Sequence, residues 1–211
     1  RPYTIPEDRG DFEEIHQDED LLKEYGFSGN EEYNSMRFQD YAMGEFFRLI
    51  ENEPFYKDTY FLIYGDHSLT TWQSRNTPKG IIDLELTTNN TPLIVVGPGI
   101  EPSIDEKPAS QVDITATMSG LLGKPYRETA LGRNLFDDNI KRGAFILASS
   151  GAPLRIGFVE DDFYYTIWPS KQGMFKYRSD DGEKDYCGQY PQKCERMKTL
   201  AQGLYEAAKY I

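Results

Sequence analysis

The sequence predicts an α/β fold, in which a mainly parallel sheet lies between helices and is followed by a smaller antiparallel sheet and a terminal helix. Two continuous apolar runs, TYFLIYGDH at 59–67 and TPLIVVGPGI at 91–100, are typical of strands that are buried on both faces. Segments with the three- and four-residue apolar spacing of helices precede and follow these runs. The alternation of such strands and helices indicates a layered α/β domain.

The helices are predicted from the spacing of their apolar residues and from the residues at their ends. The segment EEYNSMRFQDYAMGEFFRLIEN at 31–52 has the pattern of an amphipathic helix. A second helix is expected within SQVDITATMSGLLGKP at 110–125, with Ser110 as its N-cap and with Gly123 and Pro125 at its end. These two helices are expected to cover the faces of the sheet.

The last third of the chain has a different pattern. Short segments rich in β-branched and aromatic residues, GAFILAS, LRIGFVED and DFYYTIWPS, predict an antiparallel meander with a hairpin turn at Asp161 and Asp162. The segment CERMKTLAQGLYEAAKYI predicts a terminal helix. We therefore expect an α/β core at 1–140 and a C-terminal antiparallel subdomain at 141–211.

The charge of the chain excludes one class of partner. Lys and Arg total 23 and Asp and Glu total 35, which gives a formal net charge of −12. Residues 1–32 alone hold eleven acidic side chains against three basic ones, and we expect this segment to be a solvated acidic surface. A nucleic-acid surface needs clustered cations, so no nucleic-acid partner is expected.

Only two histidines are available for any histidine-dependent chemistry. His16 lies in the acidic segment, where a solvated histidine or one paired with a carboxylate is expected. His67 follows Asp66 at the carboxyl end of the first predicted strand, where sites of open α/β sheets gather. An Asp-His pair can place a carboxylate oxygen and an imidazole nitrogen on one divalent cation. The dipeptide alone fits equally a turn in which Asp66 caps the backbone.

The order of several short motifs resembles that of one enzyme family. YKDTYFLIYGDH, then NTPLIVVGPGI, then SQVDITATMSGLLG are similar to the sulfatase family of the alkaline-phosphatase superfamily. YNSMRFQDYAMGEFF and LGRNLFD resemble its lipoteichoic-acid-synthase branch, whose extracytoplasmic domains transfer phosphoglycerol. The resemblance covers about residues 1–137. It implies an alkaline-phosphatase-like fold.

The resemblance implies a metal-dependent reaction on an ester. Asp66 and His67 match the family's GDH pair, which coordinates a divalent cation such as Mn, Mg or Ca. The implied substrate is a phosphate ester, in particular a phosphoglycerol lipid. The alternatives are a sulfuric ester hydrolase and, in another class, a non-catalytic module that binds a glycan or a partner protein.

Two further residues are candidates for substrate binding. Trp72 and Arg75 follow the metal pair in the loop SLTTWQSRNTPKG. An indole offers a stacking face for a sugar or glycerol, and a guanidinium presents a planar fork suited to phosphate or sulfate. Many relatives have a histidine after the GDH pair, whereas this loop has none, which leaves the substrate open.

The remaining expectations concern compartment and completeness. Cys187 and Cys194 bracket GQYPQK, and such a pair forms a disulfide in an oxidising compartment or stays as two thiols in the cytoplasm. The family's catalytic domain lies outside the cytoplasmic membrane, often in a membrane-anchored protein, which favours the disulfide. The family's nucleophile does not carry over to any segment before Asp66. We therefore expect the C-terminal part of a catalytic domain, inactive alone and prone to self-association.

Overall fold

The computed structural model describes residues 4–68, 74–124, 127, 129, 131–148 and 154–210. Contacts between Cα atoms divide the chain into two compact units, Arg1–Thr77 with Asn90–Ile100, and Pro78–Asn89 with Glu101–Ile211. The predicted boundary after residue 140 thus falls inside the second unit. Within the described residues, no helix combines the length and apolar character needed to cross a membrane.

The first unit contains two helices and two strands. The helices are α1 (Glu19–Glu24) and α2 (Asn30–Ile50), and the strands are β1 (Phe61–Tyr64) and β2 (Leu93–Val96). The second unit contains α3 (Lys79–Asp83), α4 (Asp113–Leu121), β3 (Ala144–Ala148), β4 (Arg155–Glu160), β5 (Phe163–Trp168), β6 (Lys171–Lys176) and α5 (Pro191–Ala207). Single-turn 3₁₀ helices at Tyr56–Asp58 and Thr87–Asn89 complete the described elements.

The four-stranded sheet of the second unit confirms the predicted antiparallel meander. Its strand order is β3-β4-β5-β6, and Asp161 and Asp162 form the turn between β4 and β5. Residues that alternate along the strands enter two different cores, as the two-residue period of a strand requires. Val159, Tyr164 and Phe175 pack with Leu84 and Leu86 on one face of the sheet. On the other face, the core comprises Phe158, Tyr165, Met174 and three residues of α5: Cys194, Met197 and Ala201.

A buried carboxylate joins this sheet to α5. The side chain of Glu160, at the end of β4, is 1% exposed. Its Oε1 lies 3.0 Å from Lys141 Nζ and 3.6 Å from Lys193 Nζ, and both of its oxygens accept hydrogen bonds from the Arg196 guanidinium. Desolvation pushes the pKa of Glu160 upward, but the hydrogen bonds and charges of Arg196 and Lys141 outweigh desolvation and lower this pKa below its ordinary value.

Helix α4 begins differently from the prediction. Helical geometry starts at Asp113, and the hydroxyl of Ser110 donates to the carbonyl oxygen of Phe145 instead of capping the helix. The fully buried Asp113 carboxylate accepts from the backbone N–H groups of Ser110 and Arg133, at 2.9 Å each, and from the Arg133 guanidinium. Asp113 thus has a structural role, which ties the first turn of α4 to the loop that contains Arg133.

In the first unit, two asparagines of α2 bind the backbone of the acidic N-terminal segment. The Asn34 amide accepts from the Ile15 N–H at 3.0 Å and donates to the Ile15 carbonyl at 2.9 Å. One helical turn earlier, Asn30 makes the equivalent pair of hydrogen bonds with Gln17. Phe12 is buried against the ring of Phe38. The segment is therefore docked through its backbone and one aromatic ring, while its charged side chains face solvent.

The strands of the first unit correct one part of the predicted fold. β1 and β2 pair antiparallel, with Phe61 opposite Val96 and Tyr64 opposite Leu93, whereas the sequence predicted parallel strands. A continuous apolar run indicates burial and contains no information on strand direction, so the pattern could not distinguish the two arrangements. Nor are these strands buried on both faces among the described residues, since Tyr64 and Ile94 are about half exposed.

Candidate functional site

The Asp66-His67 pair lies directly after β1, where the chain passes close to the residues that precede β2. The Gly65 N–H donates to the carbonyl oxygen of Pro92 at 3.4 Å. A Cβ atom at Gly65 would lie 3.1 Å from both Cβ and Cγ2 of Thr91, which is tighter than ordinary side-chain packing. The glycine at position 65 therefore lets the end of β1 approach the residues before β2 closely. Asp66 and His67 come directly after this contact.

The structure brings the two side chains of this pair together. Asp66 Oδ2 lies 3.7 Å from His67 Nε2, and the side chains of both residues are exposed. The other carboxylate oxygen, Oδ1, accepts from the His67 N–H at 2.8 Å. Asp66 therefore caps the backbone, as expected for a simple turn. Its second carboxylate oxygen nevertheless faces the imidazole.

A third contact favours one tautomer of the neutral imidazole. His67 Nδ1 lies 3.2 Å from the carbonyl oxygen of Ser68. In the neutral imidazole, a hydrogen bond here places the proton on Nδ1, because a carbonyl oxygen only accepts, and leaves Nε2 with the lone pair that a metal ligand needs. Ligating histidines in proteins commonly have their second ring nitrogen oriented by a carbonyl or carboxylate in this way.

The donor atoms of the pair fit a divalent cation. Oxygen ligands lie about 2.0–2.6 Å from Mg or Ca, so two ligand atoms on one such cation are separated by roughly 3–4 Å. The distance of 3.7 Å between Asp66 Oδ2 and His67 Nε2 falls in this range. Among the described residues, no group of three or more His, Cys, Asp or Glu side chains is arranged to hold a metal ion. The pair can thus supply two ligands.

Arg75, a predicted substrate contact, is engaged with α1. Its backbone N–H donates to the Glu24 carbonyl at 2.6 Å, and Nη1 donates to Glu24 Oε2 at 2.7 Å. Nη2 donates to the Tyr25 hydroxyl at 3.2 Å, and the guanidinium carbon lies 5.1 Å from the centre of the Tyr25 ring. Trp72, the other predicted substrate contact, lies outside the described residues.

The predicted cysteine pair lies in the second unit. The sulfur atoms of Cys187 and Cys194 are 2.00 Å apart, at the distance of a disulfide bond. Cys194 belongs to the first turn of α5 and is buried in the core between this helix and the sheet. The cysteines therefore link the loop before α5 to the helix itself.

Three contributors to the surroundings of Asp66, His67 and Arg75 were not predicted from the sequence. Glu24 and Tyr25 hold Arg75 from a separation of about 50 residues, and no short-range pattern reports such a contact. The Ser68 carbonyl orients His67 through its backbone, so its residue type contains no signal. A basic residue close to the last carbonyl groups of a helix is favourable, but only the fold shows that Arg75 reaches the end of α1.

Comparisons with known proteins place these features in a family. The family model described as Sulfatase matches residues 9–124, which include α1, α2, both strands of the first unit and the Asp66-His67 pair. A lipoteichoic acid synthase-like protein of Bacillus subtilis, YvgJ, is 22% identical over an alignment of 217 residues. The alignment covers 95% of this chain and 32% of that protein. The family match and the relative agree with the resemblance seen in the motifs.

Solved structures support the fold class. A protein of the alkaline phosphatase superfamily from Vibrio parahaemolyticus matches with a TM-score of 0.64 and 20% identity, over 99% of this chain and 46% of that one. A phosphonate monoester hydrolase from Silicibacter pomeroyi matches with a TM-score of 0.55 and 14% identity, over 85% of this chain and 42% of that one. The α/β, alkaline-phosphatase-like fold class is thereby confirmed.

The chain spans about a third of the length of the curated relative and less than half of each of these solved structures. The family model nevertheless covers more than half of the chain itself. With the motif order, the GDH pair after β1 and the shared fold, the chain belongs to the sulfatase family.

Proposed function

We propose that this chain is part of a metal-dependent enzyme of the sulfatase family that transfers or hydrolyses a phosphate ester. The observation that supports the proposal best is the Asp66-His67 pair, with an oxygen and an imidazole nitrogen 3.7 Å apart at the end of β1. Mn, Mg or Ca is the proposed cation.

Each residue of the pair has a defined task in this proposal. Asp66 Oδ2 and His67 Nε2 would hold the cation, while the His67 N–H orients the Asp66 carboxylate and the Ser68 carbonyl orients the imidazole. When bound, a divalent cation neutralises ester oxygens and acts as a Lewis acid and template. The pair is pre-oriented by its own backbone, which reduces the entropy that ligand binding would otherwise cost.

The proposed substrate is a phosphoglycerol lipid. It is supported by the similarity to a protein described as lipoteichoic acid synthase-like and by the motifs shared with that branch. A sulfuric ester is the second candidate, because the matching family model is that of the sulfatases. In either case we propose Arg75 as a contact to the anionic group and Trp72 as a contact to the rest of the substrate.

We further propose that the domain acts outside the cytoplasm, in a protein anchored to the membrane. The cysteine pair supports this proposal, because the fold brings Cys187 and Cys194 together and such pairs are bridged in oxidising compartments. We propose that the chain alone is inactive, because the described residues offer two ligands, Asp66 and His67, to a cation that takes four or more, and two ligands bind it weakly. No nucleic-acid partner is proposed.

The metal pair is tested with Asp66→Ala and His67→Ala in the full-length protein. His16→Ala is the matched control, since it removes the other histidine of the chain, which is exposed in the acidic segment. Activity and bound Mn²⁺ should fall in both pair variants and should be unchanged in the control. Loss of a residue that only supports a metal ligand typically costs roughly 10- to 100-fold in metal affinity or activity, so loss of a ligand itself should cost more. Hydrolysis of p-nitrophenyl phosphate, p-nitrophenyl sulfate and a phosphoglycerol lipid, together with Mn²⁺ titration, provides the measurement.

The same assay separates the alternatives. Faster turnover of the sulfate ester than of either phosphate ester would select the sulfatase function. Metal and activity that persist in both pair variants would rule out the assigned site. Absence of turnover in the full-length protein, together with binding of a glycan, would support the non-catalytic module. Metal-dependent turnover by the 211-residue chain alone would show that the chain holds its own nucleophile.

A further inference from the structure

We propose that Arg75 and Tyr25 form an anion site in which the carboxylate of Glu24 occupies the position of a phosphate or sulfate group and is displaced when that group binds. This inference rests on the proposed function, because it takes the oxyanion of the ester as its ligand. Beyond the proposed function, it identifies a group of the chain that competes with the substrate anion for Arg75. This group is the carboxylate of Glu24, the last residue of α1.

The contacts of Arg75 separate into those that need the Glu24 carboxylate and those that do not. In the described part of the chain, one contact of Arg75, from Nη1 to Glu24 Oε2, uses the carboxylate. The backbone hydrogen bond to the Glu24 carbonyl, the hydrogen bond to the Tyr25 hydroxyl and the stacking on the Tyr25 ring are independent of it. The guanidinium therefore keeps its place when the carboxylate leaves.

The exchange is also favourable on the anion's side. The Glu24 contact uses a single guanidinium nitrogen, and the side chains of Arg75 and Glu24 are 55% and 51% exposed. Exposed ion pairs of this kind contribute little to stability, so their loss is a small cost. A phosphate or sulfate group can instead accept two parallel hydrogen bonds from the planar guanidinium, which is the stronger arrangement.

The turn that contains Arg75 is ordered by its own hydrogen bonds. The Thr77 hydroxyl accepts from the Ser74 N–H at 3.0 Å, and the Thr77 N–H donates to the Ser74 carbonyl at 2.9 Å. Tyr25 is fixed by its backbone N–H, which donates to Leu21 and Leu22 of α1. The two residues that would hold the anion are thus positioned before it arrives.

The test measures inorganic phosphate and sulfate binding to the metal-free chain in EDTA at low ionic strength, by calorimetric titration of every variant and, where Arg75 is present, also from its Nε–Hε NMR resonance. Glu24→Gln should lower the Kd for either anion about two- to fivefold, because it removes a competing exposed ion pair. Arg75→Gln should raise the Kd about tenfold or more. Glu45→Gln is the matched control, since it removes the same charge from another exposed Arg–Glu pair, Arg48 and Glu45 on α2.

Three outcomes would overturn the inference. These are an Arg75 resonance that anions do not shift, equal effects of Glu24→Gln and Glu45→Gln, and weaker anion binding in Glu24→Gln. If Arg75→Gln does not fold, Arg75→Lys keeps the charge without the planar fork and should still bind more weakly. Because the experiment contains no metal, its failure leaves the Asp66-His67 proposal standing, and failure of the metal test leaves this result intact.

Discussion

Strands β1 and β4 both come from sequence segments rich in apolar residues, yet they differ in burial. Every residue of β4 is buried, whereas the residues of β1 are partly or largely exposed. β4 lies between β3 and β5, and cores with Leu84 on one face and α5 on the other cover its sheet. β1 pairs with one described strand. An apolar run therefore predicts a strand, while its burial depends on the neighbours that the fold provides.

The difference predicts that substitutions in the second unit cost far more stability than equivalent ones in the first. The largest effect is expected at Glu160, the buried carboxylate of β4. Glu160→Ala removes two hydrogen bonds from the Arg196 guanidinium and the ion pairs with Lys141 and Lys193, and because a hydrogen bond to a charged group contributes about 1.5–3 kcal/mol, we expect a loss of about 3–5 kcal/mol. Urea unfolding measures the loss, and Glu24→Ala, at an exposed pair of the first unit, should cost less than about 1 kcal/mol.

The same residue gives the stability a defined pH dependence. Because folding lowers the pKa of Glu160, its stabilising contribution is complete above the pKa of the unfolded chain and is lost as the pH falls through the folded value. The free energy of unfolding should therefore fall between pH 6 and acidic pH more steeply in the wild type than in Glu160→Gln. Parallel curves for the two proteins would contradict the assigned pKa shift.

Two methionines allow the two units to be compared with the same substitution. Met197 on α5 is fully buried, and Met36 on α2 is 37% exposed. Met197→Ala should destabilise the protein by about 2–5 kcal/mol, because it removes buried apolar surface and leaves a cavity. Met36→Ala should cost less than about 1 kcal/mol, and equal losses in chemical denaturation would break the comparison.

Two glycines should give effects of opposite sign. A Cβ atom at Gly157 in β4 would lie 2.4 Å from the Tyr164 ring and 2.7 Å from the Tyr165 carbonyl oxygen. Gly157→Ala should therefore destabilise by about 1–3 kcal/mol through overpacking. A Cβ at Gly44 in α2 meets nothing within 4 Å, so Gly44→Ala should stabilise the helix by about 0.5–1 kcal/mol. The melting temperatures of both variants measure these effects. A higher melting temperature for Gly157→Ala than for the wild type would be inconsistent with the packing around Gly157.

The sequence predicted features that depend on nearby residues. Apolar spacing located α2 to within two residues, and the Asp161-Asp162 turn, the meander and the terminal helix are confirmed. The direction of β1 against β2 is set by long-range pairing, and the apolar pattern was wrong about it. Asp66 and His67 are adjacent in the sequence, so the proximity of their side chains was predictable, whereas the contact of Arg75 with Glu24 spans 51 residues and was not. Glu160 has the sequence of a surface acid beside a turn, and only packing against α5 reveals its burial.

The interleaved division of the chain has a consequence for dissecting it. The polypeptide crosses between the two units after Thr77, after Asn89 and after Ile100. A single cut after Thr77 separates β1 from β2, its pairing partner. A single cut after Ile100 instead removes Leu84 and Leu86 from the core that they form with Val159, Tyr164 and Phe175. No single truncation therefore yields both units intact, and a nascent chain that has emerged only to Thr77 lacks the strand that completes its first sheet.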